Sequence, residues 1–455
     1  MVFAITAFLT LREGNMKRKL NQVKTFFSKP YNILLVLFLI VLTYLVVFPL
    51  FSIVKDTFIV HSAEKSRVHQ AVGSLTAYHW NRTLASVYSK SLLYEPLAHS
   101  LVCSISACIV AILIGGGFAW LVTRSDLRWK KVLTKLFIFP YIMPSWTLAL
   151  AWKNFFKNAA VGGATGIFTA LTGIATPNWF AYGPFPIILV TGLHYAPFAY
   201  ILIGGILRNM DANLEEAAVI LKTKRLRMFT RITIPMVMPA VLSTVILVFS
   251  SAMSSFAVPQ FLGLPVRYYV LTTELYAALQ GTNPGVGYIL AIVMIVISVL
   301  IMLANQKLIG KRKSYATVTG KSANVSLFHL KKARSLLSVL VLCLVLCMSV
   351  VPLISFLLQS LIIIKGNYSL SNMTLDFWIG SSKGGNDVMD KAGILINADV
   401  WKTLFNSLKL SAIVAVGAGT MGFLAGYAIV RRRGSKLSQI VENLTFIPYL
   451  IPSMA

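Results

Sequence analysis

The chain consists of apolar runs, each about as long as a bilayer is thick, separated by short polar segments. That alternation leaves few folds open to it. The runs are Ile33–Phe51, Ala98–Val122, Val132–Trp152, Phe185–Leu207, Pro239–Val258, Val286–Leu308, Leu336–Leu358 and Leu404–Val430, with a further one from Val441 to Ala455. A helix needs roughly 20 predominantly apolar residues to cross the hydrocarbon core. Composition agrees: 57% of residues are hydrophobic and only 12% charged, against roughly 25% charged in a soluble domain. Mean hydropathy is +0.75. The predicted fold class is an all-α polytopic membrane protein.

The formal charge of +28 invites a nucleic-acid reading, and its placement argues against one. Of 42 Lys and Arg, 29 fall in alternate loops: Arg12 to Lys29, Arg124 to Lys135, Arg208 to Arg231, Lys307 to Arg334, and Arg431 to Lys436. The long segment Gln260–Gly285 contains only Arg267. This is the asymmetry of the positive-inside rule, and it places the N-terminus and the segment 208–239 in the cytoplasm. No nucleic-acid partner is expected. Cys103, Cys108, Cys343 and Cys347 lie inside apolar runs, where free cysteine behaves as a small hydrophobe, so neither a disulfide framework nor a metal site is predicted from them. The apolar stretch Met1–Leu11 precedes the basic run Lys17-Arg18-Lys19, the reverse of a signal peptide's order. Met16 reads as the more natural start.

The sequence repeats with a period of about 305 residues. Leu136-Phe137-Ile138-Phe139-Pro140-Tyr141-Ile142-Met143-Pro144-Ser145 returns as Thr445-Phe446-Ile447-Pro448-Tyr449-Leu450-Ile451-Pro452-Ser453. Gly117-Phe118 is matched by Gly422-Phe423, His99-Ser100-Leu101 by Asn406-Ser407-Leu408, and Val47-Phe48-Pro49-Leu50 by Val350-Val351-Pro352-Leu353. The expected organisation is a cytoplasmic segment 1–30, a first six-helix unit 31–308, a basic cytoplasmic linker 309–334, and a second, incomplete copy of about three spans over 335–455.

Between the fourth and fifth runs lies a charged island, Glu215-Glu216-Ala217-Ala218 followed by Lys222, Lys224, Arg225 and Arg227, then Ile232-Thr233-Ile234-Pro235 and Pro239. Asn213 and Glu216 have the spacing of a helix N-terminus, where acidic charge is favoured. Basic residues follow toward the other end. Pro235 and Pro239 are expected to stop the loop and open the next span. An ordinary basic loop would share the charge, but not the sixteen-residue step from Glu216 to Ile232 or the Ile-x-Ile-Pro-x-x-x-Pro ending. The segment closely resembles the EAA loop of ABC importer permeases. The residues carrying that resemblance are Glu215, Glu216, Ala217, Ala218, Lys222, Arg225, Ile232, Pro235 and Pro239. One departs from the pattern: the family usually has glycine where this chain has Lys222, so the bend expected there must be made another way.

No catalytic residue or cofactor site is predicted. The only Gly-Lys-Ser, Gly320-Lys321-Ser322, has Tyr315 where a phosphate loop needs glycine. Energy must come from a separate ATPase subunit. An ion-coupled secondary transporter is disfavoured, because such proteins place Asp, Glu or His within the membrane as relays. Here the acidic residues fall in loops or at span edges, and His194 is the only histidine deep in a run.

Candidates for the translocation path are Pro140, Tyr141, Pro144 and Ser145, which would break the third span as substrate-lining helices are often broken. Ser250, Ser251, Ser254 and Ser255 form a polar strip of two i, i+4 pairs. Small residues also let helices pack closely, and both readings of the strip stand. His194, beside Pro197, is read as a path candidate or a packing histidine.

Across nearly its whole length the chain resembles the fused permeases of binding-protein-dependent importers, that is, the type I (MetI-like) transmembrane domain in duplicate. The iron(III) group looks nearest, with 2-aminoethylphosphonate and polyamine permeases as relatives. The pointers are Pro-Tyr-x-x-Pro-Ser in both halves and Phe256-Ala257-Val258-Pro259-Gln260-Phe261-Leu262-Gly263 followed by Tyr269-Val270-Leu271-Thr272-Thr273. The resemblance implies a cytoplasmic ATPase dimer, an external substrate-binding protein and a multi-pass location in the bacterial inner membrane. It places a second EAA loop beyond Ala455, which would call for a chain completing the second unit, or else mark the product as a non-transporting remnant of an interrupted gene.

Overall fold

Within hydrocarbon a helix satisfies its own N–H and C=O groups, and the apolar runs accordingly appear as helices. A computed structural model describes residues 21, 23–210, 218, 220–281, 284–310, 328–381 and 392–450. Apart from three isolated bridges, the regular structure among them is helical. The main elements are α1 (Pro30–Asp56), α2 (Lys90–Arg124), the pair α3 (Lys130–Ile142) and α4 (Ser145–Phe156), α5 (Pro184–Asn209), α6 (Phe229–Met253), α7 (Leu271–Gln280), α8 (Pro284–Gly310), α9 (Ala333–Gln359), α10 (Ala398–Arg431) and α11 (Lys436–Leu450).

Proline sets the local irregularities. Each π-helical turn among the described residues, Thr43–Val47, Lys90–Tyr94 and Phe229–Thr233, ends two residues before a proline: Pro49, Pro96 and Pro235. Proline cannot donate to the helix ladder and its ring crowds the carbonyl four residues back. The wider i to i+5 turn absorbs that conflict without ending the helix. This corrects the expectation that Pro235 and Pro239 stop the loop and open the fifth span. The helix is already under way from Arg225 and runs through both prolines.

Two compact units are distinguished. In the unit Val54–Ile396, α2 and α5 approach most closely, through glycine. A methyl group on Gly115 would overlap the Ala196 carbonyl and lie 2.8 Å from the Ala199 methyl; one on Gly192 would lie 2.6 Å from Val110 Cγ1. Below this crossing, Phe118 of α2, Phe137 of α3 and Tyr200 of α5 form a buried aromatic cluster, with Phe118 and Phe137 stacked at 3.9 Å. Val345 and Met348 of α9 join the same core, and Ser338 of α9 accepts a hydrogen bond from the Arg128 amide at 3.1 Å. In the other unit, Leu35 and Phe38 of α1 pack on Ala425 and Ala428 of α10 and Val441 of α11. Arg432 donates to Asn32 Oδ1 at 2.6 Å and covers the Phe26 ring at 4.4 Å.

The first span of each sequence half thus packs on helices of the other half: α1 on α10, and α9 on α3 and α4. The compact units therefore do not follow the boundaries suggested by the repeat.

Two local arrangements recur along the chain. After α1 the chain makes an antiparallel bridge, Ile59 to Leu75, and Trp80 donates its indole N–H to Thr57 Oγ1 at 3.1 Å. After α9 it bridges Ile362 to Met373, and Trp378 donates to Ser360 Oγ at 3.1 Å. Thr57 and Ser360 are offset by the same 303 positions as Pro49 and Pro352.

Candidate coupling loop and translocation path

The loop between α5 and α6 is only partly described. Glu215, Glu216 and Ala217 lie outside the described residues. Ala218 is buried, whereas Ile220 and Leu221 are 79% and 77% exposed. The chain then turns at Lys222, whose φ is +51°. The Thr223 N–H donates to the Ala218 carbonyl at 3.0 Å, the six-to-one bond that closes a helix through a left-handed residue. Glycine usually holds such a position because it has no Cβ. Here Lys222 adopts the left-handed conformation itself, and the bend is made without glycine.

After this turn, Arg225–Met228 forms one helical turn that leads into the π-turn Phe229–Thr233. Ile232 is half-buried there, Thr233 is buried, and Pro235 and Pro239 are half-buried within α6.

The C-terminal end of α2 holds both ends of the loop. Buried Arg124 donates from Nη2 to the Met210 carbonyl at 3.2 Å, where the loop leaves α5. Trp120 lies edge-on to Phe229, where the loop enters α6, at 6.2 Å. The same two residues hold the end of the linker: Trp120 sits 5.7 Å from the Phe328 ring, and the Arg124 carbonyl accepts the Phe328 N–H at 2.7 Å. Neither was singled out from the sequence as a site residue; Arg124 counted there toward membrane orientation and, with Thr123, as a landmark of the repeat. An arginine closing a long apolar run after Trp120 was the available signal.

Next to it, Asp126 accepts the Leu330 N–H at 2.9 Å and lies 3.6 Å from His329 and 3.7 Å from Arg334. The Leu330 amide, followed by the Arg334 charge, holds this carboxyl below its ordinary value of 3.8. The docked linker therefore binds fewer protons than the free one. Its attachment is at full strength above about pH 4 and is lost as pH falls through the lowered value. Asp126→Asn should reproduce the acid release at neutral pH, read as faster amide hydrogen exchange over residues 328–334. Unchanged exchange would show that the carboxylate does not hold the linker.

The path candidates sit around a broken span. α3 and α4 meet at 98° across Met143–Pro144. Pro144 has no N–H to offer the Pro140 carbonyl, and His194 Nδ1 lies 2.9 Å from that oxygen. Buried His194 thus caps the break from α5. Tyr141 stacks on Phe198 at 5.6 Å and is partly exposed; Ser145 starts α4. In the serine strip, the Ser250 and Ser254 hydroxyls are buried and find no hydrogen-bond partner among the described residues. The Ser255 carbonyl accepts from Thr272 at 2.8 Å. Ser255 also borders a cavity of about 10 Å³ lined by Ser100, Ser104 and Thr191, about enough for one water molecule. The structure brings Ser255 together with α2 and α5, and keeps Ser250 in the helix packing.

The segment after α6 docks on α2. Ser100 accepts the Leu271 N–H at 2.8 Å, and His99 stacks on Tyr268 at 4.0 Å. The sequence showed these α2 residues only as markers of the repeat.

Residues 109–315 match a family described as "Binding-protein-dependent transport system inner membrane component". The chain is 23% identical over 371 residues to a ferric transport system permease protein of Actinobacillus pleuropneumoniae, covering 80% of this chain and 51% of that protein. It is 24% identical to a putative ferric transport system permease protein of Haemophilus influenzae, covering 80% and 55%. A spermidine/putrescine permease of Escherichia coli is 29% identical over 174 residues, 38% of this chain and 62% of that protein. The chain spans about half the length of the ferric relatives it matches. Among solved structures, a bacterial ABC transporter involved in alginate import aligns with a TM-score of 0.49 at 16% identity, covering 65% of this chain and 99% of that one.

Proposed function

We propose, from the premise that residues 109–315 make this chain an inner-membrane component of a binding-protein-dependent transport system, that it is the permease of an ATP-driven importer. The observation carrying this reading is that the matched region takes in the C-terminal half of α2, the broken α3–α4 span and the whole loop from Met210 to Pro239. That loop presents cations and two exposed apolar side chains, Ile220 and Leu221, beyond a bend fixed at Lys222. Such a surface suits docking of a soluble subunit, and a cytoplasmic ATPase dimer is the partner proposed for it. The loop would then carry ATPase motion into α5 and α6, because Arg124 and Trp120 tie both its ends to α2.

The basic loops put the N-terminus and this loop in the cytoplasm of a bacterial cell, with an external binding protein delivering cargo to the opposite face. Iron(III) is the cargo we favour, since ferric permeases match 80% of the chain and the polyamine permease 38%. A 2-aminoethylphosphonate or polyamine permease is the alternative.

The test is reconstitution in proteoliposomes with the ATPase and binding protein encoded beside it. ATP hydrolysis should rise with binding protein loaded with ferric ion, and not with binding protein offered putrescine or 2-aminoethylphosphonate. Stimulation by putrescine or 2-aminoethylphosphonate instead would refute the iron reading. No stimulation by any cargo would mark a non-transporting product.

A further inference from the structure

The loop after α1 gathers three metal-binding side chains that belong to neither the coupling loop nor the proposed path. His61, Glu64 and His79 each offer a ligand atom, and these atoms lie within 4.8 Å of one another. Glu64 and His79 are fully buried. Glu64 Oε2 lies 3.3 Å from His79 Nε2 and 3.4 Å from the His61 amide. Its second oxygen, Oε1, is buried with no partner among the described residues, and so is His79 Nδ1.

An uncompensated buried carboxylate is costly. His79 cannot relieve this cheaply in either form. Neutral, with Nε2 donating toward Glu64 and the Ile59 carbonyl 3.2 Å away, it leaves a buried lone pair on Nδ1. Protonated, it leaves a buried N–H there instead. A cation held by Glu64 and by the Nε2 lone pair of neutral His79 compensates the carboxylate charge, with the ring proton on Nδ1.

We propose that His61, Glu64 and His79 bind a divalent transition-metal ion. Two imidazoles and one carboxylate form a donor set that suits zinc or ferrous ion, with positions left for water. Tetrahedral bonds of about 2.0–2.1 Å place donors about 3.3 Å apart; His79 and Glu64 already stand at 3.3 Å. The ion would staple the loop after α1 to the start of α8, where the His79 ring lies directly on Gly285 and Tyr288 stands 5.9 Å from His61. A methyl group at Gly285 would come 2.5 Å from His79 Nδ1. This reading rests on the cluster's own geometry and does not depend on the import function or its cargo.

The test uses the full chain, purified in detergent with a tag free of histidine and stripped by chelator. Zn(II) added and then gel-filtered should remain at about one equivalent per chain, and Co(II) should give the visible ligand-field bands of a low-coordinate nitrogen–oxygen site. Glu64→Gln and His61→Ala should abolish both signals. Gly285→Ala, which removes no ligand, should weaken zinc binding by about ten- to a hundredfold. His69→Ala and His329→Ala, at exposed histidines, should change nothing. His61 is only half-buried, so its variant keeps the test valid where Glu64→Gln fails to fold. Zinc retention below a tenth of an equivalent by the wild-type chain, or equal retention in His61→Ala, would overturn the proposal.

Discussion

Gly115→Val should leave little folded protein. The Gly115 position faces the Ala196 carbonyl and the Ala199 methyl group, and both alanines are fully buried. Neither neighbour can rotate away, because one is backbone and the other is a Cβ. α2 and α5 would have to separate, and these two share the most extensive packing among the described helices. Overpacking a tight core costs typically 1–3 kcal/mol and occasionally more. Helix association in a membrane depends on such close approach, since lipid offers apolar contacts as good as another helix does. The expected cost is about 3 kcal/mol or more, a large share of a marginal stability. Gly117→Val on the same helix is the control, because a methyl group there meets nothing within 4 Å. Fluorescence-detected gel filtration should show an aggregated Gly115→Val and a monodisperse Gly117→Val. Two equally monodisperse variants would mean that the crossing has room the packing does not show.

Much of the helical layout was legible because the signal is length and apolarity, which depend on no partner. The break at Met143–Pro144 was legible for a related reason: Pro140 and Pro144 each remove a donor whatever surrounds them. What each helix packs against was not legible. In a soluble protein the apolar stripe marks the buried face, but in a membrane lipid-facing and helix-facing surfaces are both apolar. Leu35 and Leu37 look alike in sequence, yet Leu35 is buried and Leu37 is 53% exposed. The crossed packing of α1 on α10 and α9 on α3 therefore left no trace in the residue pattern. The prolines misled at one point only. Pro235 was expected to end the loop, and the π-turn before it let the helix continue. His61, Glu64 and His79 escaped notice because fourteen residues separate the last two, and only the fold of the loop brings them together.

The second large effect is expected at Lys222, and a substitution series separates its backbone role from its charge. A left-handed conformation costs a non-glycine residue about 1–2 kcal/mol. Lys222 meets that cost because the Thr223 N–H reaches the Ala218 carbonyl only through this turn. Lys222→Gly should remove the penalty and strengthen the bend by about 1 kcal/mol. Lys222→Ala keeps the penalty and removes the charge, so it should leave the bend unchanged. Lys222→Pro cannot adopt a φ of +51°, because its ring holds φ near −65°. The chain beyond it would then leave the helix in another direction and carry Arg225 and Arg227 out of register with Ala218. On the proposed docking role, Lys222→Pro should insert normally and show the wild-type gel-filtration profile while losing cargo-stimulated ATP hydrolysis. Lys222→Ala and Lys222→Gly should retain it. Full activity in Lys222→Pro would mean that the bend does not position the docking surface. Equal losses in Lys222→Ala and Lys222→Pro would instead place the effect in the ammonium group. The exposed pair Ile220 and Leu221 lies on the Ala218 side of the turn, so a changed exit direction would leave it in place and misplace only the basic half of the loop. Capture of the ATPase by the Lys222→Pro variant should therefore weaken less than its stimulation by cargo.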